Sequence, residues 1–263
     1  AAGRALTITG GHGHSIGLAR EVDGPDAVRR AVREEIRAGA TAIKLIATGG
    51  VLTPGISADF TAFTQEELDA AVDEARKWGR VVAAHAIGST GILQAVRAGV
   101  DSIEHGSLMD AAGARLMKER GTFQVPTISA LVGIVEHADE VPGYAVEKAR
   151  EVTATAREAF RRSVRTGVRV ACGTDAGTPF NPHGNTTEEL VRMVEWGMTP
   201  LQAMRSATSN AAELLRLPQV GVVAPGSAAD MVLFDANPLE EIDTVRKPAA
   251  VWKAGELVAG AAG

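Results

Sequence analysis

The sequence predicts an α/β fold built on a mostly parallel sheet, and three observations carry that reading. An amphipathic stretch, a glycine and a short apolar run follow one another repeatedly, as IRAGATAIKLIA, RKWGRVVAAH, VRAGVDSIEH, KERGTFQVP and VRTGVRVACG. The glycines of this pattern (Gly39, Gly79, Gly99, Gly121 and Gly167) stand where a helix ends in a left-handed turn. The apolar runs need no alternation, as befits parallel strands buried on both faces. Helices and strands in alternation imply right-handed crossovers.

The elements follow in order. Ala5–Gly10 is the first predicted strand. Pro25 suits a first helical position, and Val28, Val32 and Ile36 then recur every fourth residue. Ala42–Ala47 is the second strand. Thr64 with Glu67 reads as a capping box for TQEELDAAVDEARKWG. Strands around Val81–His85, Ser102–His105, Thr122–Val125 and Val168–Cys172 complete a set of six. Asp110 is a cap for AAGARLMKER and Thr187 for EELVRMVEWG, and Tyr144 to Thr166 reads as one helix. After residue 217 the texture changes: GVVAPGSAADMVLFDANPL and AAVWKAGELV read as short strands joined by turns. The chain is therefore divided into 1–217 and a small C-terminal β appendage, 218–263, with its boundary near Pro218.

Composition narrows the function. The 263 residues hold 27 Lys+Arg against 32 Asp+Glu, a formal net charge of −5, which argues against a nucleic-acid partner. No apolar run reaches the ~18 residues of a membrane span. The opening AAGRALTITGG is not read as a signal peptide, because Arg4 interrupts a short apolar stretch. A single cysteine, Cys172, leaves no internal disulfide framework and fits a reducing, cytoplasmic setting.

In a parallel α/β barrel the chemistry lies at the carboxyl ends of the strands. Here those ends carry ionisable groups: His12 and His14, His85, Glu104 and His105, and Asp175. Lys44 sits inside AIKLIA. A lysine with apolar neighbours on both sides is costly unless paired or neutralised. The plain alternative is a lysine that snorkels to the strand end or meets a carboxylate. Two histidines and an aspartate at successive strand ends point instead to one location, with Lys44, His85, His105 and Asp175 as donors suited to zinc or a similar divalent metal. A neutral lysine amine adds CO2 to give a carbamate, whose two oxygens can bridge two cations.

With these residues in view, the chain resembles the amidohydrolase superfamily of metal-dependent hydrolases, and within it the imidazolonepropionase- and prolidase-like branch. The matching segments are TGGHGH (9–14), AIKLIATGG (42–50), VVAAHAIG (81–88), SIEHG (102–106), VACGTDAGTPF (170–180), GMTPLQAMRSATSNAAELL (197–215) and PGSAADMVLFDANPLEEI (225–242). The resemblance implies a TIM-type (β/α)8 barrel. It implies that Lys44 is carboxylated and bridges two metals, that His85 and His105 ligate one and that Asp175 ligates the other. A metal-activated hydroxide then attacks an amide carbonyl, and Asp175 serves as general base and then general acid. Zn2+ is the first choice of metal, one or two ions, with manganese, cobalt and iron as alternatives.

One departure stands out. The family ends its first barrel strand with a His-x-His pair, but His12-Gly13-His14 precedes Lys44 by only 29 intervening residues, filled mainly by one helix. TGGHGH resembles the end of the third strand instead. The barrel is therefore expected to lack its first two βα units, the His-x-His pair and the N-terminal part of the appendage. Such a piece of a longer enzyme would bind at most one metal well and turn over poorly.

The other candidates are weighed beside their plainer roles. His12 is placed at substrate by the resemblance and His183 by its position just after Asp175, against a loop-packing and an exposed loop histidine respectively. His14 is read as loop packing and His137 as solvated. Asp101 and Glu104 are read as hydrogen-bonded strand-flanking residues. Thr174 is read as orienting Asp175, and Cys172 as core. Relatives often carry an aromatic residue soon after Pro-Thr, where this chain has Ser129, Ala130 and Leu131. The leading function is a metal-dependent hydrolase of a small-molecule amide: a dipeptide, an N-acyl amino acid or a cyclic amide. The rivals are a lactonase- or esterase-type hydrolase of the same superfamily, a catalytically incompetent fragment, and a non-catalytic small-molecule-binding barrel. No membrane partner is expected, and relatives of this kind often form homo-oligomers through barrel helices.

Overall fold

The computed structural model describes residues 1–260. Residues 261–263, the end of the predicted appendage, lie outside the described residues. The chain runs β1 (Ala5–Thr7), β2 (Ala19–Glu21), α1 (Pro25–Arg37), β3 (Ala42–Ile46), α2 (Gln65–Lys77), β4 (Val81–Ala86), α3 (Ser89–Ala98), β5 (Ser102–His105), α4 (Ala111–Arg120), β6 (Phe123–Val125), α5 (Ile128–Glu136), α6 (Gly143–Thr166), α7 (Thr186–Glu195), α8 (Pro200–Ser206) and α9 (Ser209–Leu214). Then come β7 (Met231–Leu233), a 3-10 turn (Ile242–Arg246), β8 (Ala250–Lys253) and β9 (Glu256–Gly260). The first six strands form one parallel sheet in the order β2-β1-β3-β4-β5-β6, and the last three form a small antiparallel sheet.

Two layers bury the core. Ile43 and Leu45 of β3, Val82 and Ala84 of β4 and Ile103 of β5 share one face of the sheet with exposures of 2% or less. They pack on Val28 and Val32 of α1, Leu68 and Val72 of α2, and Ile92 and Val96 of α3. Each such side chain contributes roughly 1.5–3 kcal/mol. Caps fix where the helices begin. Thr64 Oγ1 accepts from Glu67 N at 3.3 Å, and Glu67 accepts from Thr64 N at 2.8 Å, completing the capping box. Asp110 caps α4 through Gly113 N at 2.7 Å. Gly39, Gly79, Gly99, Gly121 and Gly167 all have positive φ. Between α1 and α2, Arg33 holds Glu74 by two 2.9 Å bonds and brings that buried carboxyl down to about 2.

The structure corrects several boundaries. β1 ends at Thr7 rather than Gly10. β2 is a strand that the sequence does not announce: Ala19-Arg20-Glu21 has no apolar run, and its place comes from pairing with Ala5–Thr7. Val168–Cys172 is not a strand. It meets β6 through one bridge, with Arg169 O accepting from Gln124 N at 2.8 Å and Gln124 O accepting from Ala171 N at 3.0 Å. β6 stops at Pro126, which has no N–H to offer, and Cys172 N turns away to Ser206 O at 2.9 Å. Helix α7 begins after Asn185, so Thr187 lies inside it instead of capping it. Of GVVAPGSAADMVLFDANPL, only Met231–Leu233 is a strand. In the tail, Ile242 and Val245 are buried against Leu190, Val191 and Met193 of α7. None of the described helices is long and apolar enough to cross a membrane.

Candidate metal and active site

The face of the sheet opposite the helices carries the polar groups. Register places Lys44 beside Ala83, and Ile46, His85 and Glu104 in one row across β3, β4 and β5. Lys44 is half-buried on that face. Strict alternation would send His105 to the same side as Ile103. Its backbone instead takes φ 70°, and the ring stands edge-on to His85 with centroids 4.6 Å apart. His12, buried in the loop after β1, approaches His85 from the other side at 4.8 Å. Three imidazoles thus form one cluster. Gly50 is needed for it: a Cβ there would run into the His12 ring.

Each ring is held by one nitrogen. His85 Nε2–H donates to Gly49 O at 2.7 Å; a carbonyl only accepts, so Nδ1 carries the lone pair. Thr48 locks that carbonyl, donating to it at 2.9 Å while accepting from Ile87 N at 2.9 Å. Thr127 Oγ1 donates to Pro126 O at 2.8 Å and so accepts from His105 Nδ1–H at 2.5 Å, leaving Nε2 as the lone pair. His12 Nδ1 is 2.7 Å from Thr53 Oγ1. Burial keeps all three rings neutral at pH 7. Desolvation takes His12 to about 4, carries His85 far below the usual imidazole range with help from His105, and lowers His105 likewise. Asp175 opposes the shift at His12 and His105, and Lys44 adds to it at all three rings, so both charges lie within electrostatic reach of the cluster.

Asp175 is supported differently. It is exposed, at φ 56°, in the loop that replaces the expected sixth strand. Asn181, 3% exposed, donates from Nδ2 to Thr174 O at 2.6 Å and Asp175 O at 3.1 Å. Thr178 Oγ1 donates to Asp175 O at 2.9 Å. Phe180 of the same loop stacks on His137 at 4.0 Å, so His137 has one face covered and is not simply solvated. His183 is exposed, beside Gly177. His14 is exposed too, its Nδ1 2.7 Å from Gly11 O. Asp101 accepts from Val82 N at 2.8 Å, and Glu104 from Ser102 Oγ at 2.6 Å. Cys172 is partly buried, and burial pushes its thiol up.

Neutral imidazoles with one nitrogen anchored and the other bearing a lone pair are what a metal ligand requires. His85 and His105 therefore fit a divalent cation. Among the described residues, no three His, Cys, Asp or Glu side chains close on a single metal position. Lys44 and Asp175 are the charged groups that His105 senses. A cavity of about 420 Å³, lined by Ser57, Asp59, Leu108, Tyr144, Lys148 and Glu151, lies between α6 and the loop that carries Gly49 and Thr53. Lys148 pins that loop by donating to Thr53 O at 2.6 Å and to Ile56 O. Asn181, Thr127 and Lys148 escape a reading of the sequence, because Asn181 and Lys148 act on backbone oxygens and Thr127 on a ring 22 residues away.

A parallel sheet flanked by helices, with a buried imidazole cluster at its carboxyl edge, defines a barrel-type α/β protein whose chemistry sits at the strand ends. The model of the amidohydrolase family matches residues 3–258, and the chain belongs to that family. Ochratoxinase from Aspergillus niger is 38% identical over 245 residues, 90% of this chain and 50% of the relative. The chain thus spans about half the length of the curated relatives it matches first. A Xaa-Pro dipeptidase with methionine in its active site superposes with a TM-score of 0.92 at 39% identity, over 98% of this chain and 67% of that one. A prolidase bound to N-methylphosphonate-L-proline superposes with a TM-score of 0.89 at 37% identity, over 98% and 68%. The neighbours have the barrel architecture, and the small antiparallel sheet at the C-terminus accompanies it here.

Proposed function

We propose that this chain carries the reaction centre of a metal-dependent hydrolase that cleaves the C–N bond of a small amide, of dipeptide or N-acyl amino acid type. The observation that carries the reading is the pair His85 and His105, each neutral, each anchored by one nitrogen and each presenting the other. The likeness to a Xaa-Pro dipeptidase and a prolidase supports the substrate class.

Lys44, His85, His105 and Asp175 would hold one or two divalent cations, His85 and His105 serving one and Asp175 the other, with Zn2+ the first choice. Bound there, a divalent ion supplies Lewis-acid polarisation of the amide carbonyl and a lowered pKa for water. The chain's own groups do the rest. His85 Nδ1 and His105 Nε2 need no deprotonation at neutral pH. The Lys44 amine would add CO2 at Nζ, with loss of a proton, to become a carbamate. The exposed Asp175 carboxylate takes a proton from the attacking water at Oδ and returns it to the leaving nitrogen. His12, packed against His85, faces the substrate from the loop after β1, and His183 faces it from the Asp175 loop.

Metal analysis and hydrolysis of Xaa-Pro dipeptides and N-acyl amino acids test this. A bound divalent ion is expected in the wild-type chain and its loss in His85→Ala, with turnover following metal content. Lys44→Ala should abolish any stimulation by bicarbonate. A chain that takes up no divalent ion, or one whose uptake is indifferent to His85→Ala, would overturn the reading.

A further inference from the structure

Helix α5 begins without a side-chain bond from its own N-cap residue. Thr127 holds the N-cap position, where a threonine ordinarily accepts from N–H groups of the first turn. It makes no such bond. Its Oγ1 donates to Pro126 O and accepts from His105 Nδ1–H instead. Its backbone takes φ 51°, a left-handed conformation that a β-branched residue rarely adopts.

The unsatisfied N–H groups are met from a distant helix. Glu189, in the first turn of α7, has no exposed surface. Its carboxylate accepts from Ile128 N at 2.8 Å, Ser129 N at 2.8 Å and Ser129 Oγ at 2.6 Å. A buried carboxylate is costly unless it is hydrogen-bonded and faces positive charge. Arg192 of the same helix is bound to Glu136 and Glu188. The helix N-terminus, with its dipole and three donors, and Arg192 to a smaller degree offset part of that cost.

We propose that Thr127 and Glu189 act as a pair of positioning residues for His105. Glu189 caps α5 in Thr127's place, and that releases the Thr127 hydroxyl to hold His105 as the Nδ1–H tautomer with the Nε2 lone pair presented. Neither residue touches substrate or reacting atoms. The inference goes beyond the hydrolase reading and survives its failure, because the tautomer is set in the metal-free chain.

Long-range 1H–15N correlation spectra of the histidine rings, recorded on the metal-free chain near neutral pH, test it. His105, assigned by its absence in His105→Gln, is expected with a protonated Nδ1 and a bare Nε2. Thr127→Val removes the acceptor at constant shape and is expected to shift the ring toward Nε2–H or an average of both forms; Thr127→Ser restores it. Glu189→Gln leaves one acceptor oxygen for three donors, and the same loss of tautomer is expected as Thr127 turns back to cap α5. Zinc affinity should fall roughly 10–100-fold in Thr127→Val and Glu189→Gln while the far-ultraviolet spectrum is unchanged. A wild-type His105 protonated on Nε2 overturns the proposal, and so does an unchanged ring in Thr127→Val. A Glu189→Gln chain that melts earlier with His105 unaltered overturns the pairing and leaves Glu189 as a cap only. If Thr127→Val fails to fold, the wild-type and Thr127→Ser spectra decide.

Discussion

The imidazoles at the ends of β4 and β5 and the carboxylate of Asp175 belong to one candidate site, yet two kinds of structure hold them. His85 and His105 stand on strands whose register is fixed by neighbours on both sides, and each ring is tied by one further bond. Asp175 hangs from a loop with no ladder, shaped by the Asn181 amide, the Thr178 hydroxyl and the stack of Phe180 on His137. The first arrangement draws its rigidity from the core. The second draws it from a few local hydrogen bonds, which cost less to rearrange. A group that must accept and return a proton beside substrate is better served by the second, and ligand nitrogens by the first.

Acid should separate the two regions most sharply. The unfolded chain holds protons on His12, His85 and His105 that the folded chain has shed. Their contribution is therefore full above the ordinary imidazole value of 6.5 and is lost as pH falls, toward about 4 at His12 and His105. His12 alone accounts for about 3 kcal/mol. Glu189 runs the other way. Burial raises its carboxyl to about 7, so its contribution is present below the usual carboxylate range and is lost as pH rises through about 7. Denaturant midpoints measured from pH 4 to 8 should show a steep acid limb, with a shallow alkaline decline that Glu189→Gln flattens. An acid limb no steeper than ordinary surface titration would mean that the rings are not buried.

Gly49→Ala comes next. A Cβ there would collide with the backbone oxygen of Ser57 and displace the carbonyl that orients His85. A loss of about 3 kcal/mol is expected, read from thermal or denaturant unfolding, together with a changed His85 ring signal. Asn181→Ala strikes the loop-held side. It should cost about 2 kcal/mol, reduce turnover more than it raises KM, and leave the His85 and His105 tautomers as they are. Altered strand histidines in that variant would show that the two regions are not separately supported. Phe180→Ala is the mildest. Losing the 4.0 Å stack on His137 should cost about 1 kcal/mol and speed amide exchange in the Asp175 loop without touching β4 or β5.

Much of the molecule was readable from residue order. Apolar runs after C-terminal glycines located β3, β4 and β5. The capping box placed α2, and Lys44, His85 and His105 could be assigned to strands whose ends carry chemistry, because burial on two faces and helix capping are recorded locally. The tertiary structure alone decided the rest. β2 exists because β1 offers it a partner, while Val168–Cys172 fails as a strand because a proline follows β6. His105 and Asp175 are turned by left-handed backbone, a conformation that costs energy at any residue but glycine and that the surrounding contacts sustain. Glu189 meets α5 across 60 residues of chain, and no periodicity records a bond of that span.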